Sequence, residues 1–460
     1  MMKDSLKIVL IGAGSREFAR SMIHDLILEK ELVQNSSIHV VLVDIHAPSL
    51  KLALDYAQSC AQFMKSDIKF SATLDRKEAL VGADFVLLSI AIKRTEFWEQ
   101  DFRVPFGFGI PHVCGENGGP GSIFHSLRNL HTILPICHDI EQYCPNAWLL
   151  NFTNPESKNL TAILNLTNVK AIGLCHGFYS FQHFASLLLQ RPITELDVRT
   201  AGMNHFYTYY KITDRMTGND LRNEFEQRMP TAEAELPPLV WYLWKTFGVI
   251  GYISDSHIGE YLGFAHQIIG TLWPFGIETR TIKLDEQQIT SRTSFEAWRK
   301  KTDVHSYMAQ SGASGNEAGM LTGQEQIDES VIQSSGELAI PVIGDMVLDR
   351  KILRGAVNVL NDKGYIENLD RDTSIELPAV VDRSGVHPDN VGRLPEGFAM
   401  LIKKQQGVQR LMVEAIRHQS RDILLQALLL DPVVGDKALE AERMLDYMLE
   451  LQKEYLGEFR

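Results

Sequence analysis

The apolar positions of this chain fall into short, β-branched runs separated by longer stretches of helical period. Residues 6–11 read LKIVLI, 38–43 read IHVVLV and 85–90 read FVLLSI. Runs of that length and composition predict strands buried on both faces. Between them, 16–30 and 49–64 carry apolar residues at helical spacing, with Ser49 as the expected N-cap. A short strand at 68–70 and a short helix at 75–80 complete the series. The order β-α-β-α-β predicts a parallel, doubly wound α/β sheet.

Further on, a Gly-rich stretch occupies 107–121 and an amphipathic segment 122–143. Strands are expected at 147–151, 169–174 and 198–203, and 206–212 alternates in the manner of a strand. Beyond about residue 214 the pattern turns helical and irregular, with helices expected over 286–310, 405–430 and 436–455. No repeat, low-complexity tract or linker interrupts the chain. Its 460 residues exceed one typical domain. That length suggests two domains, or one large core with insertions; the two-domain expectation is a nucleotide-binding domain over 1–200 and a closely packed α+β domain over 201–460 for substrate binding and oligomerisation.

Composition narrows the function. Apolar residues make up 45% and charged residues 22%, as in ordinary globular proteins. The 58 acidic side chains outnumber the 45 basic ones, giving a formal charge of −13 that repels a phosphate backbone and argues against a nucleic-acid partner. The five cysteines are Cys60, Cys114, Cys137, Cys144 and Cys175, an odd number with no CxxC. Free thiols in a reducing, cytoplasmic setting fit that pattern better than a disulfide framework. No segment reaches the ~18 uninterrupted apolar residues of a membrane span, and residues 1–6 lack the features of a secretory leader.

The first candidate chemistry is the turn Gly12-Ala13-Gly14-Ser15 between the first strand and first helix. Glycines there let the backbone turn tightly and let a pyrophosphate approach the helix N-terminus. The pattern is Rossmann-type but incomplete, because Glu17 stands where GxGxxG has its third glycine. Asp44, at the end of the second strand, is placed to bind a ribose hydroxyl and to favour NAD over NADP. It lies thirty residues after Gly14, where about 20 is usual. A tight βα turn that binds no nucleotide would read the same way.

Cys175-His176 and Asn204-His205 each follow an expected strand. A thiolate and an imidazole at strand ends can hold a divalent cation and leave positions open for substrate oxygens. Taken singly, a Cys there is commonly a small buried hydrophobe and a His a satisfied core group. Asn151-Phe-Thr-Asn154-Pro155 also ends a strand and can orient sugar or carboxylate oxygens, or simply cap a turn. Asp255 and His257 are a candidate base and binding group, or surface polar residues.

At these residues the chain resembles the family-4 glycoside hydrolases. The resemblance runs through IGAGSREF at the start, GGPGSIFHSLR at 118–128, LLNFTNP at 149–155 and IGLCHG at 172–177. It continues through GMNHF at 202–206, ISDSHIGEY at 253–261, SGE at 335–337, NDKGYIENL at 361–369 and IELPAVVDRSGVHP at 375–388. It implies a lactate/malate dehydrogenase-like fold and a redox-neutral hydrolysis outside the two-carboxylate scheme. NAD takes hydride from C3 of the sugar, a base removes the acidified C2 proton, and Mn²⁺ or another divalent metal stabilises the enediolate. The glycosidic oxygen leaves with a general acid, water adds at C1, and the hydride returns.

By position, the resemblance makes Cys175 and His205 the metal ligands, His176 the proton donor and Asn154 a substrate ligand. Asp255 is the expected base, with Tyr252 the alternative, and His257 a further substrate contact. Gly12, Ala13, Gly14, Ser15 and Asp44 are expected to bind NAD. Members acting on 6-phosphosugars resemble Cys-Asn/Asp-x-Pro after the ligand Cys. The Cys-His-Gly found here is like that of members acting on unphosphorylated α-glycosides, with the galacturonidase and galactosidase branch nearest. Glu156 replaces a smaller residue, and Glu116 an Asp. Arg94 and Arg128 are candidate cations for a uronate. A homodimer or homotetramer is expected. The competing readings are an NAD-dependent 2-hydroxy acid dehydrogenase of lactate/malate type, and a non-catalytic NAD- or metal-sensing protein.

Overall fold

A computed structural model of the chain describes residues 5–15, 18–175, 177–270 and 332–460. Its first strands are β1 (Ser5–Ile11), β2 (Ser37–Val43), β3 (Lys69–Thr73) and β4 (Phe85–Leu88). β5 (Trp148–Asn151) and β6 (Lys170–Gly173) complete a parallel half in the order β3-β2-β1-β4-β5-β6. The alternation of side chains fixes what each face buries. Leu6, Ile8 and Leu10 of β1 enter one core, and Val9 and Ile11 enter the core on the opposite face.

The sheet does not stop there. β6 continues into β9 (Ile352–Leu360), β10 (Ser374–Asp382), β7 (Leu196–Met203) and β8 (Phe206–Asp214), all antiparallel, with β11 (Gly385–Pro388) hairpinned on β10. The boundary drawn at residue 200 falls inside β7, and one sheet runs through both halves of the chain. β9 and β10 lie where the sequence pattern reads as helical and irregular. Their signal is masked because Gly355 and Pro378 interrupt the runs, the register shifts between Leu377 and Ala379, and the polar Asn358 and Glu376 are buried.

Register aligns one row of residues across the whole sheet: Thr73, Val43, Ile11, Leu88, Asn151, Gly173, Asn358, Glu376, Gly202 and Tyr207. From Asn151 onward the row carries buried polar side chains interrupted by glycines. It marks where the parallel and antiparallel halves join.

Several expected boundaries shift. The helix placed at 49 spans Ala47–Phe63, and its N-cap is His46, whose side chain accepts from the Ser49 N–H. The segment 16–30 contains the helix Phe18–Leu28 and passes into a second, Lys30–Asn35. The single helix expected over 405–430 is two, Glu396–His418 and Arg421–Leu430, broken by a left-handed Gln419 and restarted by a Ser420 cap. These two and Ala438–Leu451 pack on the long helix Gly119–Tyr143 through Phe124, Leu127, Met412 and Met444. The helix expected over 286–310 lies outside the described residues. No helix among the described residues is long and apolar enough to cross a membrane. All five cysteines are free.

Candidate active site

The turn after β1 opens on a cavity of about 1280 Å³. Gly12, Gly14, Ser15 and Asp44 line it, with Arg94 and Glu337 on its other walls. Gly12 is obligatory twice over: its φ is +92°, and a Cβ there would lie 1.8 Å from the Ser89 carbonyl oxygen. The Gly14 N–H donates to Asp44 Oδ2 at 2.8 Å, and the His46 N–H donates to Oδ1 at 2.8 Å. The carboxylate is therefore held at the mouth of the turn, despite the long spacing in sequence. Ser15 accepts from the Phe18 N–H at the start of the helix. Ala13 differs from its neighbours: its side chain is buried in the core rather than lining the cavity. Ile45 is 98% exposed beside Asp44 and offers an apolar surface to a flat ring.

Cys175, two residues beyond β6, and His205, in the two-residue turn between β7 and β8, meet with Sγ and Nε2 3.2 Å apart. β7 is antiparallel to its neighbour β10, so the strand-end rule that suggested His205 applies only to Cys175. His205 takes a left-handed φ of +60°, rare for a residue with a Cβ. Tyr252 stacks on its ring at 5.1 Å with a 15° interplanar angle, and the His257 ring lies 4.5 Å away.

Burial, then the Glu376 charge, raise the Cys175 thiol pKa. Burial, then the Cys175 and Glu376 charges, raise the Tyr252 phenol. Burial opposes protonation of His257, but hydrogen bonding and the charge of Glu260 outweigh it, so its pKa is raised. Its Nδ1 lies 3.1 Å from Glu260 Oε1. The other oxygen of Glu260 accepts N–H groups of Asn117 and, at 3.1 Å, Gly118. The helix bearing His257 is thus pinned to the Gly-rich loop.

That loop brings Glu116 to Asn154. Glu116 Oε1 accepts from Asn154 Nδ2 at 3.3 Å and pairs with Arg94 at 3.4 Å. Burial raises the Glu116 pKa while Arg94 opposes the shift. Asn154 is held from behind by Asn129, which donates to its carbonyl at 2.6 Å, and its bond to Pro155 is cis.

Two expected residues are placed otherwise. Both oxygens of Asp255 accept backbone N–H groups of Leu239 and Val240, at 3.0–3.2 Å, at the start of the helix Pro238–Phe247. The carboxylate expected as base is spent on a helix end. Arg128 is sealed in the interior, paired bidentately with Asp101 and bonded to Gln452. It cannot meet a substrate carboxylate, whereas the half-exposed Arg94 can. His176 lies outside the described residues. Glu260 and Glu376 were not singled out from sequence. Glu260 had a signal, since its spacing from His257 puts both on one helical face. Glu376 had none, because only register carries it to the site.

The residues fit the groups such a site would take. The glycine turn, the held carboxylate and the size of the cavity suit a dinucleotide. The thiol and imidazole converge on one point, and burial disfavours ionisation of the Cys175 thiol. A divalent cation would reverse that preference for the thiol and take the imidazole in its neutral form. Among the described residues no three His, Cys, Asp or Glu side chains gather into a group that could hold a metal ion.

Fold and site together define a dinucleotide-binding α/β protein with a thiol–imidazole centre. Residues 7–190 match the family model described as family 4 glycosyl hydrolase, and residues 200–434 match the model of that family's C-terminal domain. The chain belongs to this family and is a glycosidase. It is 29% identical to an α-glucosidase of Erwinia rhapontici, over 98% of this chain and 99% of the relative. It is 28% identical to an α-galactosidase of Rhizobium meliloti, over 99% of this chain and 90% of the relative. Its fold is similar to that of a 6-phospho-α-glucosidase from gut microorganisms, solved in complex with NAD and Mn²⁺. That match has a TM-score of 0.75 and 21% identity, covering 99% of this chain and 100% of the other. Family membership removes the dehydrogenase reading.

Proposed function

We propose that this chain hydrolyses unphosphorylated α-glycosides with NAD and a divalent cation, Mn²⁺ first, as cofactors. The observation that carries the reading is the 3.2 Å approach of Cys175 Sγ to His205 Nε2 in a chain whose first βα turn is built for a dinucleotide. The α-glucosidase and α-galactosidase relatives, and the cofactors of the solved structure, support it. Cys175 and His205 hold the cation. Gly12, Gly14, Ser15 and Asp44 hold NAD, with Ala13 packing the turn into the core. When bound, the pair supplies a reversible hydride acceptor for C3 and an electrophile for the adjoining sugar oxygens, which acidifies the C2 proton.

The chain's own residues do the rest. Tyr252, stacked on His205, takes the C2 proton as its phenolate, a form that burial disfavours and that a cation held by Cys175 and His205 would favour. This assigns the base to Tyr252 rather than Asp255, whose oxygens are engaged elsewhere. His176 gives a proton to the leaving glycosidic oxygen. Asn154, held by Glu116 and Asn129, orients a sugar hydroxyl. His257, held at Nδ1 by Glu260, is placed to hydrogen-bond another. Arg94 is the cation available to a uronate, so α-galactosides and α-galacturonides come first among test substrates and α-glucosides and α-glucuronides next. The chain acts as a cytoplasmic homodimer or homotetramer, which light scattering checks.

The test is a panel of p-nitrophenyl α-glycosides and α-uronides in D₂O with NAD⁺, Mn²⁺ and a thiol reductant. Cleavage is expected to need both cofactors, to release no net NADH and to leave deuterium at C2 of the product. Cleavage indifferent to NAD⁺ with an unlabelled C2 sinks the mechanism.

A further inference from the structure

We infer that Glu376 is a positioning residue for the cation site, acting through Asn204 on both Cys175 and His205. The inference rests on the metal reading above and adds to it the residue that holds the two ligands in place.

Glu376 lies in the middle of the sheet, on β10. Its register partners are Asn358 on β9 and Gly202 on β7. It is 2% exposed, and its oxygen Oε1 has no hydrogen-bond partner among the described residues. Oxygen Oε2 accepts from Asn204 Nδ2 at 2.8 Å and from Asn358 Nδ2 at 3.3 Å. The Asn204 amide also lies within hydrogen-bonding reach of the Cys175 sulfur. At its other end, the Asn204 carbonyl accepts from the Tyr261 hydroxyl at 3.2 Å. Asn204 is therefore clamped at both ends.

Asn204 and His205 are the two residues of the β7–β8 turn, where Met203 pairs with Phe206. His205 holds its left-handed φ of +60° only because its surroundings over-determine it. The residue before it is the one Glu376 anchors. Asn358 bonds onward to the Gly173 carbonyl at 3.4 Å, two residues before Cys175. One carboxylate thus ties together the strands that deliver both ligands, β6 through Asn358 and β7 through Asn204. Partners of this kind orient metal ligands, and their loss typically weakens metal affinity about 10- to 100-fold.

The test is a Co²⁺ titration of the NAD-loaded chain, following the near-ultraviolet thiolate-to-cobalt absorption. Glu376→Ala is expected to weaken Co²⁺ binding about 10- to 100-fold. Glu376→Gln, which restores an acceptor to both amides, is expected to recover most of that loss. Asn204→Ala cuts the same link from the other side and should match Glu376→Ala; it decides the matter if Glu376→Ala does not fold. Wild-type affinity and an unchanged band in the folded Ala variants overturn the inference while leaving the site intact. A wild-type chain with no thiolate–cobalt band overturns the site assignment, and this inference with it.

Discussion

Replacing Gly173 by alanine should destabilise the protein, and shortening Glu156 should rescue it. Gly173 ends β6, and a Cβ there would lie 1.5 Å from Glu156 Oε1 and 3.1 Å from Asn358 Cβ. Glu156 opens the helix Glu156–Leu166 and is 2% exposed, so its carboxyl has no route to solvent by which to yield. Overpacking of this kind costs about 1–3 kcal/mol, because the buried Glu156 carboxyl must be displaced within the core. Glu156→Ser alone should be nearly neutral, because a lost contact and a small void offset the removal of a poorly satisfied buried carboxyl. In the double variant the new methyl occupies the vacated space. The expected coupling is therefore about 1–3 kcal/mol, read by equilibrium urea unfolding of the four proteins. If the single effects add within about 0.5 kcal/mol, the steric argument is wrong.

Other outcomes follow from the same geometry. Gly14→Ala would place a Cβ 2.7 Å from Asp44 Oδ2. The displaced carboxylate should cost about 1.5–3 kcal/mol of NAD affinity, roughly 10- to 150-fold in Kd by calorimetry; an unchanged Kd in the folded variant removes Asp44 from the cofactor site. Tyr252→Phe should slow C2 exchange about 10²- to 10⁴-fold, whereas Asp255→Asn, which still caps a helix, should keep near-wild-type turnover; the reverse result restores Asp255 as base. Burial, then the Glu376 charge, push the Glu156 pKa well above the ordinary carboxylate range. Its neutral form therefore contributes stability that is fully present below the unfolded pKa and lost as pH rises through the folded one. Glu156→Gln should gain stability relative to wild type with rising pH, seen as a widening Tm difference; a pH-independent difference contradicts this. Arg128→Ala should cost about 3–5 kcal/mol by stranding Asp101, measured by urea unfolding.

The parallel half was legible because its code is local. The apolar runs of β1, β2 and β4 match strands within a residue or two, and Gly12 and Gly14 announce their turn through backbone needs that only glycine meets. β9 and β10 were not legible, since their buried polar residues make sense only beside partners far away in sequence.

By itself, then, the sequence determined the nucleotide-binding turn, the parallel character of the first strands and the residue types of a thiol–imidazole centre. These depend on neighbouring positions and on periodicities of two and about 3.6. Only the tertiary structure decided which side chains meet. It brought Cys175 to His205 across two strands of opposite sense, and it spent Asp255 on a helix end. It buried Arg128 beyond reach and slid Glu376 behind Asn204. Strand register and burial create those contacts, and neither is written in any short stretch of the chain.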